Sequence, residues 1–358
     1  MKKILLHISF PFLILLFAST SISQAECTSF CFNTKDIFLF GNNLDLHYGE
    51  GIIFVNKRNV HKTGFFYDPG LEWVSKYGSI TINNIGREFP ARGMNEEGLV
   101  IGEMTLSVTE FPMPDSRSPV ANLQWVQYIL DNCATIEEVI EANSKIRIAP
   151  DSYPSHFLIA DNSGNCITME WLDGKLIYHK GKELPVAVLT NNKYEESVKY
   201  YNGHHFPLFN RNSSNKRFSR AGKMLKKYKE SADNPPLKYA FDILDSVAQP
   251  GWTKWSLVFD IKNKIFYFRT HENRDIGFID FKSADFSCET PVQTFNIQTK
   301  FKGNISPQLV DYSYKDNYNL IKYVFSKILP DASESEYLMF ADYPKTTQCN
   351  TNISVNSE

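Results

Sequence analysis

Several kinds of site are missing from this 358-residue sequence. No two histidines stand at His-x-x-x-His spacing and no cysteines form Cys-x-x-Cys, so the common zinc patterns are absent and no metal is expected. There is no Gly-x-Ser-x-Gly elbow and no phosphate loop of the Gly-x4-Gly-Lys type, which sets aside serine hydrolases of that design and P-loop nucleotide chemistry. Nothing calls for a cofactor. Charge of one sign is also missing: 38 Lys and Arg face 40 Asp and Glu, the net charge is -2, and no basic stripe invites nucleic acid. Six cysteines (27, 31, 133, 166, 288 and 349) are too few to be the scaffold of a chain this long. Cys133 and Cys166 lie in apolar contexts and read as buried thiols. Beyond the first residues no apolar run approaches the roughly 20 residues of a membrane span. Internal repeats and low-complexity linkers are absent as well.

What is present begins with a leader. Lys2 and Lys3 precede a mostly apolar stretch, Ile4 to Ala18, and then Ser19 to Ala25, which ends in the small-x-small signal Ser23-Gln24-Ala25. This order reads as a signal peptide over 1–25, making the protein secreted or periplasmic. The residues before Cys27 do not form a lipoprotein box. Cleavage after Ala25 leaves Glu26 ahead of Cys27, so a second trimming step is needed before Cys27 becomes a terminus. The matter is chemical. A thiol on an amino-terminal residue has its own α-amine as a base. Their ordinary pKa values, about 8.5 and about 7.7–8.0, are close enough for cheap proton transfer.

The remaining chain is long enough for one large α/β domain or two smaller ones, and its 27 Phe and 18 Tyr allow a large core or an apolar pocket. Alternating apolar residues predict strands at 27–32 and 36–40 around an Asn33-Thr34-Lys35 turn, with Gly41-Asn42-Asn43 as a further turn. Strands are also expected at 52–55, 79–82, 98–104, 156–160, 166–171, 176–179, 186–189, 255–259 and 265–268. Helices are expected at 121–132, from Thr135 (where Thr135 and Glu138 form a capping box), near 216–231, 237–248 and 317–329. Residues 27–343 form the main domain in this reading, and 344–358 a loose polar tail. Two blocks of strands divided by helix pairs predict an α+β architecture, two antiparallel sheets with helices outside. The loops near 60–78, 105–120 and 200–215 are long enough to line a site.

Polar residues at strand ends and in turns supply the candidate chemistry. They are Asp45 after the second strand, Asn95 in Gly93-Met94-Asn95-Glu96-Glu97-Gly98, Asn191 after 186–189, and Arg217 near a helix start. With Cys27 they would give a nucleophile, an orienting charge and oxyanion donors. The bland readings are turn chemistry for Asp45 and Asn95 and a solvated Arg217. Cys31, two strand periods beyond Cys27 on the same face, reads as a buried strand thiol.

Taken in order, Cys27-Thr28-Ser29-Phe30, Phe40-Gly41-Asn42-Asn43-Leu44-Asp45, Gly93 to Leu99, Leu189-Thr190-Asn191 and Arg217-Phe218 resemble the choloylglycine hydrolase and penicillin V acylase family of N-terminal nucleophile hydrolases. The resemblance implies a four-layer αββα sandwich and hydrolysis of a linear acyl amide, a small-molecule substrate. It implies Cys27 as nucleophile with its α-amine as proton shuttle, Asp45 orienting the amine, Asn95 and Asn191 as oxyanion donors, and Arg217 steadying the cluster. One departure stands out: bile salt hydrolases carry arginine where this chain has Asn42. That departure motivates the alternative of a catalytically weakened, secreted ligand-binding protein on the same scaffold. Self-association into a homo-oligomer is compatible with the sequence.

Overall fold

A computed structural model describes residues 26–67, 70–204 and 214–350. The leader expected at 1–25, most of the 200–215 loop and the tail from 351 lie outside them.

Two large sheets dominate. The first has seven strands in the spatial order Val188–Leu189, Thr28–Asn33, Phe38–Asp45, Thr253–Asp260, Ile265–Thr270, Gly277–Asp280 and Gly303–Asn304. The second has nine, ordered Lys175–Lys180, Cys166–Leu172, Ser155–Ala160, Val100–Thr105, Arg92–Asn95, Ser79–Asn83, Ile52–Asn56, Gln293–Asn296 and Val310–Asp311. Neighbours pair antiparallel except Gly277–Asp280 with Gly303–Asn304. The period-2 alternation of a strand explains how both faces are filled. In the second sheet Ile101, Phe157, Ile159, Ile167 and Met169 face outward and bury Trp125, Ile129 and Leu130 of the Asn122–Asn132 helix, with Ile136 and Val139 of Ile136–Ala142. Val100, Met104, Leu158 and Ala160 face the other way, into the core shared with Phe40 and Leu257 of the first sheet. Helices Ser214–Lys227 and Pro236–Val247 cover the far face of the first sheet through Phe218, Phe241 and Leu244. The layer order is αββα, as the sequence implied. The Thr135–Glu138 capping box forms as expected.

Three local expectations change. Gly41-Asn42-Asn43 is not a turn but the middle of Phe38–Asp45, hydrogen-bonded on both sides. Glycine is there for close approach: a Cβ on Gly41 would lie 2.3 Å from Cζ of Phe30. The two asparagines suit a buried strand because each finds a partner. Asn42 Nδ2 donates to Ser29 Oγ (2.7 Å), and Asn43 Nδ2 donates to the Leu244 carbonyl (2.8 Å). Second, Cys31 and Cys166 are not buried free thiols. They form a disulfide between the two sheets, and Cys288 pairs with Cys349. Cys133 is free and buried, as expected. Third, residues 344–350 are not loose. They continue a short helix, Tyr343–Thr346, and a two-residue strand that pairs with Val60–Thr63. Just before them an unforeseen helix, Glu334–Asp342, starts at a capping box of Ser333 and Glu336. It packs with Tyr314–Ile328 on Phe89.

Cys31 and Cys166 are 135 residues apart, and closing so long a loop stabilises the folded chain by about 4–5 kcal/mol in the chain-entropy account. Non-reducing peptide mapping should return 31–166 and 288–349 as linked pairs. The C31S/C166S variant should lose about 2–5 kcal/mol in urea melts; an unchanged midpoint would contradict the cross-link.

Candidate active site

Cys27 sits where the first strand of the first sheet begins, just ahead of the pairing of Thr28 with Asn43. Its backbone is held from two directions. The Cys27 N–H donates to Asn191 Oδ1 at 2.9 Å. The Cys27 carbonyl accepts from Arg217 Nη1 at 2.6 Å, and the same nitrogen donates to Thr28 Oγ1 at 2.8 Å. Arg217 Nη2 reaches Asn191 Oδ1 (3.0 Å) and the Glu26 carboxylate (3.1 Å). With Glu26 still attached, the Cys27 nitrogen is a peptide N–H and not an amine.

Asp45 closes the paired strand beside Cys27. Its Oδ1 accepts from Thr253 Oγ1 (2.6 Å), its Oδ2 from Gln249 Nε2 (2.8 Å), and its carbonyl from Glu26 N–H (3.2 Å). Burial raises the carboxyl to about 6 against the pull of Arg217 and the two side-chain donors. Burial also pushes the Cys27 thiol up to about 11. Arg92 works against that rise, the Asp45 and Glu103 carboxylates add to it, and the Asp45 backbone N–H lowers it. Asn191 is set by Ser214 Oγ, which accepts from its backbone N–H (2.8 Å), and by the Thr105 carbonyl, which accepts from Nδ2 (2.9 Å).

The sulfur borders a cavity of about 230 Å³. Leu44, Leu46, Ile85 and Leu123 supply apolar wall, and Phe325, Ile328, Leu329 and Phe340 of the two C-terminal helices supply more. Arg92, Glu103, Thr105, Asp151 and Tyr153 are polar groups of the lining, and Thr105 Oγ1 and the Tyr153 hydroxyl lie 3.1 Å apart. Phe66, in one of the loops expected to border a site, also contributes. Among the described residues no three His, Cys, Asp or Glu side chains are grouped as metal ligands would be.

Cys27, Asp45, Asn191 and Arg217 are thus brought together. Asn95 is not. It ends the strand Arg92–Asn95, and three residues along a strand reverse the face. Its Nδ2 donates to the carbonyls of Leu130 (2.9 Å) and Cys133 (2.7 Å) at the end of a helix, and its Oδ1 accepts from the backbone of Glu97 and Leu99. Asn95 fastens a turn to a helix terminus, and the bland reading of it is the right one. The residue on that strand that does face Cys27 is Arg92, which the sequence reading passed over. The available signal was charge in buried strands: Arg92 precedes Gly93-Met94, and Glu103 interrupts 98–104. Gln249 and Thr253, which hold Asp45, carried no comparable signal.

Known proteins share this arrangement of chain. The linear amide C-N hydrolases of the choloylglycine hydrolase family match residues 27–294. Penicillin V acylase of Pectobacterium atrosepticum is 26% identical over 286 residues, covering 66% of this chain and 75% of that protein. A bile salt hydrolase/transferase of Clostridium perfringens is 31% identical over 185 residues, 46% of this chain and 53% of the relative. Among solved structures, penicillin V acylase from Agrobacterium tumefaciens superposes with a TM-score of 0.68 at 24% identity, covering 80% of this chain and 98% of its own. A mutant of the conjugated bile acid hydrolase from Clostridium perfringens gives 0.63 at 22%, covering 78% and 98%.

The placement of Asn95 has a direct consequence. Asn95→Ala strands two carbonyls and two N–H groups, so it should destabilise the fold by about 2–4 kcal/mol. Alkylation of Cys27 in the folded fraction should be unchanged; a rate loss at full stability would return Asn95 to the site.

Proposed function

This chain belongs to the choloylglycine hydrolase family of linear amide C-N hydrolases, and from that premise we propose that it is an exported cysteine amidase acting through Cys27 on a small acyl amide with an apolar acyl group. The observation that carries the reading is the position of Cys27, its nitrogen 2.9 Å from Asn191 Oδ1 and its sulfur on an apolar cavity. Export is supported by the leader and by two disulfides, which persist in oxidising compartments. No described helix is long and apolar enough to cross a membrane.

The proposed sequence begins with removal of Glu26, which turns the Cys27 peptide nitrogen into an α-amine. The thiol gives its proton to that amine as sulfur attacks the substrate carbonyl. Asn191, whose Nδ2 donates to the carbonyl of the cavity-lining Thr105, would donate to the oxyanion. The amine passes its proton to the leaving nitrogen as the C–N bond breaks, leaving a thioester. Water then attacks, the amine takes its proton and returns it to sulfur, and the acid departs. Asp45, held by Thr253 and Gln249, keeps the amine in place, and Arg217 fixes the carbonyl on the other side of the same residue.

Active protein should begin at Cys27 by intact mass and amino-terminal sequencing; a stable Glu26 terminus in active protein overturns the amine-as-base mechanism. A panel of acyl amides with aliphatic, aryl and steroid acyl groups should contain a substrate. Inert Cys27 and no hydrolysis by protein starting at Cys27 would instead favour a ligand-binding role.

Asn191→Ala should lower kcat about 100- to 1000-fold, as loss of an aimed oxyanion donor does. Activity should also show an acid limb at or below pH about 6. The sign follows from Asp45. Its pKa is raised, so the carboxylate that orients the amine is lost as pH falls through that value, and the freed ammonium would move it downward. For stability the sense is opposite: ionising a buried Asp45 disfavours folding as pH rises above the ordinary carboxylate range. A pH-rate profile that stays flat between 4 and 8 would remove Asp45 from the mechanism.

A further inference from the structure

We propose that Arg92 supplies the positive charge that activates the Cys27 sulfur, acting from the second sheet across the cavity. The inference rests on Cys27 being the reacting group. It adds the residue that lets a buried thiol ionise.

The geometry carries it. Arg92 Nη2 lies 4.0 Å from Cys27 Sγ and 3.5 Å from the Glu103 carbonyl. The side chain is 1% exposed, yet Nε and Nη1 have no hydrogen-bond partner. A buried cation with two unused donors is expensive to a fold. Here those donors belong to a residue that lines the cavity beside the sulfur. Nothing about the core requires a guanidinium there. The neighbouring inward residue on that strand, Met94, fills the same layer with an apolar side chain. The guanidinium carbon of Arg92 lies over the Trp255 ring, 6.0 Å from its centroid.

The surrounding charges favour this role. Glu103 is the buried carboxylate facing Arg92: burial raises its pKa, the Arg92 guanidinium works against that rise, and the guanidinium itself stays charged. Asp45 adds negative charge near the sulfur, so without Arg92 the thiolate would face carboxylates alone from those two strands. Tyr153 also faces the sulfur, Tyr48 lies near Arg92, and His47 and Asp151 line the cavity. Arg217 donates to the Cys27 carbonyl and to the Glu26 carboxylate. Asn42 is on the same face of the first sheet as Cys27, but its amide is turned to Ser29 and carries no charge. The positive charge at this sulfur therefore comes from the opposite sheet.

The test is the pH dependence of iodoacetamide alkylation of Cys27, read by mass spectrometry of the Cys27 peptide in protein confirmed to begin at Cys27. Wild type, R92K, R92Q and E103Q are compared, with kcat and KM on any substrate found. An opposite charge at this distance moves a pKa by about one to three units, so R92Q should shift the alkylation inflection upward by that amount and slow the reaction at pH 7 by about 10-fold or more. R92K should keep most of the wild-type rate. E103Q should move the inflection downward, because the guanidinium then acts without an opposing carboxylate. A purely structural Arg92 would not give shifts of opposite sign in R92Q and E103Q. If R92Q fails to fold, R92M, an uncharged chain of similar length, takes its place, and an unmoved inflection in folded R92M overturns the proposal. An unmoved inflection in folded R92Q, with normal alkylation of wild type, also overturns it. Wild-type protein whose Cys27 neither alkylates nor hydrolyses any amide would instead count against the amidase reading itself.

Discussion

The Arg217 guanidinium on the carbonyl of Cys27 is the contact from which the rest of the site takes its position. A strand's first residue ordinarily frays, because it is paired on one side at most. Here one buried cation fixes the carbonyl, a neighbouring hydroxyl and the Asn191 side chain at once. Asn191 in turn accepts from the Cys27 nitrogen. The three residues come from a strand of the first sheet, the segment after its edge strand, and a helix on its outer face. Their geometry therefore depends on the αββα layers being assembled. Such hydrogen bonds to charged groups contribute about 1.5–3 kcal/mol each, enough to hold a chain end that packing alone would leave loose.

Much of this was legible because the first sheet is built from short-range signals. The strands around Cys27, the capping box at Thr135 and the neighbouring strands at 255–259 and 265–268 all follow from alternation and turn chemistry. Cys27, Asp45, Asn191 and Arg217 were legible only as an ordered set, since each alone has a common structural use. The misreadings have one cause: partners distant in sequence. Gly41-Asn42-Asn43 looks like a turn until Phe30 and Val258 flank it. Cys31 and Cys166 look like core thiols until two sheets face each other. Asn95 and Arg92 were distinguishable by strand parity, but only with the strand boundary known, because a shift of one residue exchanges the faces.

The cavity shows a different limit. Its wall at Phe325, Ile328, Leu329 and Phe340 comes from residues beyond the 27–294 span that carries the family match. Those helices pack on Phe89 and Phe65, and the segment that follows is fastened back by the Cys288–Cys349 disulfide. Cys27, Asp45, Asn191 and Arg217 thus lie within the span that the family model matches, and part of the cavity wall lies beyond it. On the proposed function, activity class and acyl selectivity would then rest on different segments, and the first would not fix the second.

Electrostatics joins these parts. In the chain that retains Glu26, the thiol is held up at about 11 by burial, and Asp45 is held up at about 6. Both values describe groups whose charged forms lack sufficient compensation. On the proposed mechanism, cutting before Cys27 changes both in the useful direction. It removes the Glu26 carboxylate, which adds to the rise of Asp45, and it creates a cation between Asp45 and the sulfur. An ammonium favours carboxylate and thiolate alike, so one bond cleavage would supply the base and improve the ionisation of its two neighbours. On that mechanism the buried polar groups around Cys27 would match the trimmed terminus better than the longer chain, with the Arg92 guanidinium, which lowers the thiol's pKa, adding positive charge from the opposite sheet.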